Sequence, residues 1–217
     1  MPSTNSQPFN RISSRYHLVN RIISLGIDSQ WRCSTLKAID IHAGNRILDL
    51  GSGPGDLLEL IPSSCLKIGI DPELSMLREA RTQFLAVKAV GENLPIASVS
   101  IERVVSAFVL RNLQSRIATF TEIERVLVDG GRGALIDFSP PGWKSLLNPL
   151  NLYLKYVLPI LGGLISGDFE AYKYLSRTIM EFPQPAVIES ELTSSGLKRV
   201  ASKRLIGHVA VLYTFEK

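Results

Sequence analysis

Cysteine is nearly absent from this chain. Cys33 and Cys65 are the two it has, in no CxxC pair, so a disulfide scaffold and a cysteine metal centre are excluded. Histidine is equally sparse: His17, His42 and His208 lie too far apart to show metal-ligand spacing, and no metal is expected. The opening MPSTNSQPFNR lacks the apolar core of an export signal, so a cytoplasmic location is expected. Neither sign of charge dominates, with 24 Lys and Arg against 20 Asp and Glu, a mild +4 that selects no partner by itself. No internal repeat or low-complexity tract is visible.

What is present is enough apolar sequence, 45% over 217 residues, to bury one substantial core. Residues 1–8 read as a flexible head and 9–217 as one domain. Apolar residues at Tyr16, Val19, Ile22 and Ile23 predict a helix over 11–25, and a second covers 30–39; together 9–44 form a helical cap. From Arg46 the pattern changes to short β-rich runs at 46–50, 66–70, 84–90, 102–108, 133–138, 197–205 and 208–215. Helices are expected between them at 72–81, 117–128 and 186–195. Such alternation implies a mostly parallel sheet covered on both faces, an α/β Rossmann-like fold. The last two runs are joined too closely for a crossover, so the final strand is antiparallel. Residues 139–185 show no strand signal and form a helical insertion after strand five.

The sharpest local feature is ILDLGSGPGDLLEL (47–60), a strand running into Gly51, Gly53 and Gly55 and then a helix. Glycines there allow a tight turn and a close approach of backbone to ligand at a helix N-terminus. Asp71 ends the next strand twenty residues after Gly51, placed to accept the hydroxyls of a ribose. Asp49 and Asp56 give the loop an acidic rim, awkward for a pyrophosphate and agreeable to a sulfonium and an amino group. Asp56 could equally cap its helix. Asp49, between two leucines, is a buried carboxylate that needs partners.

LDLGSGPGD (48–56) and GIDPELSML (69–77) resemble the first two motifs of class I S-adenosylmethionine-dependent methyltransferases. More narrowly, the chain is similar to the UbiE/MenG/Coq5 family of demethylmenaquinone and ubiquinone-precursor C-methyltransferases. That resemblance rests on RYHLVNRIISLGIDSQWR (15–32), FVLRNL (108–113), EIERVLVDGGRGALIDFSPP (122–141) and, most specifically, YLKYVLPILGGLISGDFEAYKYLSRTIMEFP (153–183). It implies S-adenosyl-L-methionine as cofactor, with Gly51, Gly53 and Gly55 as its loop, Asp49 near the methionine moiety, and Asp71 and Pro72 at the ribose. GENLP (91–95) then supplies Gly91, Glu92 and Asn93 on the adenine side. Arg111 and Asn112 occupy the substrate side, and Tyr16, His17 and Asn20 fall in the N-terminal motif. Two positions depart from the family: Val90 and Gly91 stand where a carboxylate usually precedes the Ala-Glu-x-Leu-Pro run, and His17 stands where it has Asp. His17 would bring a group that titrates near neutrality.

The implied reaction is methylation of a ring carbon on a reduced, prenylated quinone precursor. Arg111 is the residue expected to stabilise the phenolate, unless a neighbouring acid holds it in a structural ion pair. Asn112 would orient the ring or a water, or equally cap the helix that follows, and Tyr16, His17 or a water on Arg111 are candidates for the base. Menaquinone and ubiquinone precursors both remain open. So do a soluble phenolic or sterol-like acceptor and a non-catalytic assembly role in quinone synthesis. Nucleic acid is not an expected partner: SPPG (139–142) lacks the flanking amide or acid and the aromatic of amino-methylating motifs. The apolar stretch LLNPLNLYLKYVLPILGGLISGD (146–168) is broken by Asn148, Asn151, Lys155, Pro149 and Pro159, which argues against a membrane span. It reads instead as cover for a prenyl tail or a peripheral contact with a membrane surface. A homodimer is a further implication of the resemblance.

Overall fold

The structure, a computed structural model, describes residues 26–140, 152–167, 169–205 and 209–217. The expected flexible head, the helix over 11–25, and Tyr16, His17 and Asn20 lie outside the described residues. So does part of the insertion.

Helix α1 (Asp28–Lys37) precedes strand β1 (Arg46–Leu50), a short helix α2 (Asp56–Glu59) and β2 (Leu66–Asp71). Then come α3 (Leu74–Arg78), β3 (Leu85–Lys88), β4 (Ile101–Ala107), a single 3-10 turn (Leu110–Asn112), α4 (Arg116–Val126) and β5 (Leu127–Phe138). A π-helical turn (Tyr153–Val157) leads into α5 (Leu158–Ser166), followed by α6 (Phe169–Glu181), α7 (Pro185–Ser194), β6 (Lys198–Arg204) and β7 (Ala210–Glu216). The seven strands lie in the order β3-β2-β1-β4-β5-β7-β6, with β7 antiparallel to both neighbours and the remaining pairings parallel. This is the expected Rossmann-like sheet with its antiparallel final strand.

Two apolar clusters cover the sheet. On one face Ile47, Val105, Ile136 and Leu212 meet Trp31 of α1, Leu57 and Leu58 of α2, and Leu158, Tyr172 and Ile179 of the insertion. On the other, Leu48, Val104, Leu135 and Tyr213 meet Phe120 and Ile123 of α4 and Ile188 and Leu192 of α7. Residues alternate between the faces because side chains of a strand do. Each fully buried aliphatic contributes about 1.5–3 kcal/mol.

Two expected boundaries shift for local reasons. The helix expected over 72–81 shrinks to Leu74–Arg78, following a turn in which Asp71 holds the backbone N–H of Glu73. The fifth strand begins at Leu127 rather than 133 because α4 runs into it without a loop. Its pairing with β4 jumps from Ile101↔Leu127 to Arg103↔Arg132, and the extra residues bulge out through Gly130, at φ 73°.

The Gly162-Gly163 pair has a packing reason. Tyr172 occupies the space a Cβ on Gly162 would need, and Phe169 does the same at Gly163, so α5 and α6 close face to face. No helix of the described residues is long and apolar enough to cross a membrane.

Candidate active site

Strands β1, β2 and β4 deliver the site at their C-terminal ends, where ligands of open α/β sheets bind. After β1 the chain turns through Gly51, Gly53 and Gly55 at φ 66°, 53° and 89°, a left-handed geometry that side chains resist. Val109, just beyond β4, fills the place of a Cβ on Gly51, while Phe84 lies 2.7 Å from one on Gly55. Gly55 serves as N-cap of α2, so Asp56 is its first helical residue and not its cap.

Asp71 is tied into this loop. Its Oδ2 accepts from Gly53 N at 2.9 Å and its Oδ1 from Glu73 N at 2.8 Å. Burial pushes its pKa up against those two backbone donors. Each oxygen keeps a second lone pair, as a diol would require. Asp49, 2% exposed, accepts no hydrogen bond among the described residues, and burial holds its pKa well above the usual carboxylate range. Arg32 of α1 opposes that shift, whereas Asp71 and Asp56 add to it. Ser52 Oγ is buried at the loop without a hydrogen-bond partner among the described residues.

The segment expected on the adenine side is held by its own network of hydrogen bonds. Glu92 Oε1 accepts from the backbone N–H groups of Gln114 and Ser115, at 2.8 and 3.1 Å, and so pins the approach to α4. Asn93 N donates to Val90 O, which closes the turn, and a Cβ on Gly91 would come within 3.0 Å of Thr119. Val90 is exposed. Pro72 is exposed in the turn after Asp71.

Beyond β4, Phe108 adopts φ 65°, a strained conformation for an aromatic residue. Its ring stacks on Phe138 at 4.7 Å, and Trp31 meets Phe138 edge-on at 6.0 Å. Arg111 donates from Nη1 to Asp137 Oδ1 at 2.9 Å and lies over the Phe138 ring at 4.9 Å. The structural ion pair weighed from sequence is therefore formed. Burial raises the Asp137 pKa, and Arg111 is the first influence holding it down. Asn112 Nδ2 lies 3.5 Å from Phe108 O, and its Oδ1 is buried without a partner among the described residues.

The fold thus gathers Asp49, the three glycines and Asp71 at one loop, with Arg111 and Asn112 on the adjoining turn. Sequence reasoning missed Arg32, Trp31, Val109 and Asp137 as parts of the site. A signal existed for Asp137, a carboxylate inside the apolar run GALIDF, and Trp31-Arg32 sat within a motif already singled out. Among the described residues no group of His, Cys, Asp or Glu could hold a metal ion.

These residues fit S-adenosyl-L-methionine: a left-handed glycine turn open to close approach, a buried carboxylate with lone pairs for a diol, and a second buried carboxylate suited to a cation. A model of the ubiE/COQ5 methyltransferase family matches residues 4–217. The chain is 34% identical to "Ubiquinone/menaquinone biosynthesis C-methyltransferase UbiE" of Syntrophotalea carbinolica, covering 98% of this chain and 94% of that protein. It is 32% identical to "Demethylmenaquinone methyltransferase" of Corynebacterium kroppenstedtii, over 100% of this chain and 95% of the other. Phosphoethanolamine N-methyltransferase 2 of Haemonchus contortus, solved with S-adenosyl-L-methionine, shares the fold. Its TM-score is 0.66 at 13% identity, covering 87% of this chain and 52% of that one. From its fold, its glycine loop and a match along nearly its whole length, the chain belongs to the ubiE/COQ5 methyltransferase family and is an S-adenosyl-L-methionine-dependent enzyme.

Proposed function

We propose that this enzyme C-methylates a reduced, prenylated quinone precursor, demethylmenaquinol or its ubiquinone-pathway equivalent. The observation that carries this reading is the α5–α6 hairpin, an apolar insertion whose Leu158, Tyr172, Leu175 and Ile179 join the same cluster as Trp31, Phe108 and Phe138. A wall of that composition, continuous with the aromatic end of the site, suits a quinol ring carrying a hydrocarbon tail. The names of the relatives point the same way.

S-adenosyl-L-methionine supplies, when bound, an electrophilic methyl group on a sulfonium sulfur. The glycine loop and Asp71 hold the nucleoside portion, and Asp49 faces the cationic portion. On the acceptor, a ring carbon becomes nucleophilic when the neighbouring phenol loses its proton; that carbon gains the methyl group and releases its own hydrogen as a proton. Arg111, oriented by Asp137, favours the phenolate. Asn112 offers an unpartnered buried oxygen to orient the ring or a water. Tyr16, His17 and the Arg111-side water remain the candidates for the base.

On the outer surface, Tyr156, Val157, Ile160, Leu161 and Leu164 form an exposed apolar stripe at helical spacing, Leu164 at 68% exposure. Lys155 beside it is the only charged residue of 152–167. Such a stripe supports peripheral contact with an anionic membrane surface, where a prenylated acceptor resides. A homodimer, also implied by the family resemblance, is read directly by light scattering.

The deciding assay is methylation of chemically reduced demethylmenaquinone, a demethoxy-type ubiquinone precursor and a soluble phenol, followed by mass spectrometry. Methyl transfer to a prenylated quinol is expected. Transfer to the soluble phenol alone would overturn the proposal.

A further inference from the structure

The buried charges at the glycine loop are unequally served by hydrogen bonds. Asp71 has a backbone donor on each oxygen. The Arg32 guanidinium, 8% exposed, comes no closer than 3.4 Å to Asp56 Oδ2 and 4.0 Å to Asp28 Oδ2. Other arginines of the chain close fully on their acids: Arg116 on Glu191 at 2.6 and 2.7 Å, Arg125 on Glu122 at 2.7 Å, Arg111 on Asp137 at 2.9 Å. Charge-assisted bonds to a carboxylate form at about 2.7–2.9 Å, so Arg32 stands off from both of its acids.

A guanidinium taken out of water with two loose ion pairs and no closed hydrogen bond among the described residues is an expensive arrangement. Its surroundings hold it there all the same: the cation lies 5.5 Å from the Phe108 ring, and its neighbour Trp31 is locked between Phe108 and Phe138. Its charge also reaches Asp49, the buried carboxylate that accepts no hydrogen bond among the described residues. Two buried groups of opposite sign, both short of hydrogen bonds, thus flank one glycine turn. The ligand chemistry that satisfies both is a zwitterion, a carboxylate for the fork and an ammonium group for the acid.

We infer that Arg32 is the residue that binds the α-carboxylate of the cofactor's amino-acid end, with Asp49 facing its ammonium group across the turn. The cap helix α1 thereby belongs to the cofactor site rather than merely covering it. The inference rests on the cofactor reading of the glycine loop and is independent of which acceptor is methylated.

The test is equilibrium binding by calorimetry on the full chain without acceptor. S-adenosylhomocysteine is compared with S-adenosyl-3-thiopropylamine, which keeps the adenosine, sulfur and amine but lacks the carboxylate. The wild-type chain is expected to prefer the carboxylate-bearing ligand by roughly tenfold or more, as loss of a charge-assisted bidentate contact implies. Arg32→Gln should bring the two affinities within about threefold, and Arg32→Lys should restore part of the preference. Equal binding of the two ligands by the wild type overturns the assignment, and that comparison needs no variant to fold. Undiminished preference in Arg32→Gln overturns it as well. Failure of the wild type to bind either ligand removes the cofactor reading together with it.

Discussion

Arg111 and Asp137 form a buried ion pair, closed at 2.9 Å with side chains 6% and 0% exposed, at the point where the turn after β4 meets the end of β5. Asp137 also accepts from the backbone N–H of Phe138 at 2.7 Å and of Arg111 at 3.3 Å. The pair therefore fixes backbone at the end of β5 and in the turn after β4, as well as a cation. Arg111→Ala leaves the carboxylate uncompensated and should cost about 3–5 kcal/mol in denaturant unfolding. Arg111→Lys keeps the charge but not the fork, so it is the informative variant: turnover should fall at least tenfold, while S-adenosylhomocysteine affinity changes less than about threefold. Equal losses in both would assign Arg111 to scaffolding alone.

Asp49 gives a pH-dependent expectation. Its folded pKa is raised chiefly by burial, so its stability contribution is full below the unfolded value and is lost as pH rises through the folded one. Above the unfolded value, burying this carboxyl costs stability. Asp49→Asn should therefore unfold at higher temperature near pH 7, with a smaller difference near pH 4, and should bind S-adenosylhomocysteine at least tenfold more weakly. A neutral-pH melting temperature below wild type would contradict this account.

The three loop glycines should not respond alike to alanine. At Gly51 the left-handed backbone and the Val109 side chain both oppose a Cβ, whereas at Gly53 the nearest obstacle is the flexible Met76 Cε at 3.4 Å. Gly53→Ala should cost about 1–2 kcal/mol from backbone strain, and Gly51→Ala measurably more, in paired chemical denaturation curves.

The outer stripe of α5 separates membrane contact from chemistry. Replacing Ile160 and Leu164 together by Ser should reduce co-sedimentation with phosphatidylglycerol-containing vesicles by roughly tenfold or more, given about 1.5–3 kcal/mol per inserted side chain. Methylation of a tail-less quinol should be unaffected, because both side chains point away from the core. Unchanged vesicle binding would remove the lipid reading.

Much of the sheet was legible because strand patterns are local. RILDL matched to the residue at 46–50, and the apolar runs ending in Asp71 and Phe138 stopped within a residue of their expected ends. The glycine loop was legible because positive φ demands glycine. What escaped depends on distance in space rather than in sequence. Asp56 looked like a helix cap, yet it sits beside Arg32, twenty-four residues earlier. Glu92 also holds backbone N–H groups more than twenty residues downstream, a contact that no local pattern shows. Arg32 carried no periodic signal, since the buried side of α1 is Trp31, Arg32 and Thr35 rather than an apolar stripe.

The locked position of Trp31 has an optical consequence. Its indole is 1% exposed, wedged against two phenylalanines, one residue from the guanidinium assigned to the cofactor. An indole so shielded from water emits toward the blue, and a ligand drawing on the adjacent side chain alters its surroundings. Trp143 is the chain's other tryptophan, so Trp143→Phe leaves a single emitter beside the site. The protein then reports its own cofactor occupancy in its fluorescence, without a label and before any methyl group is transferred.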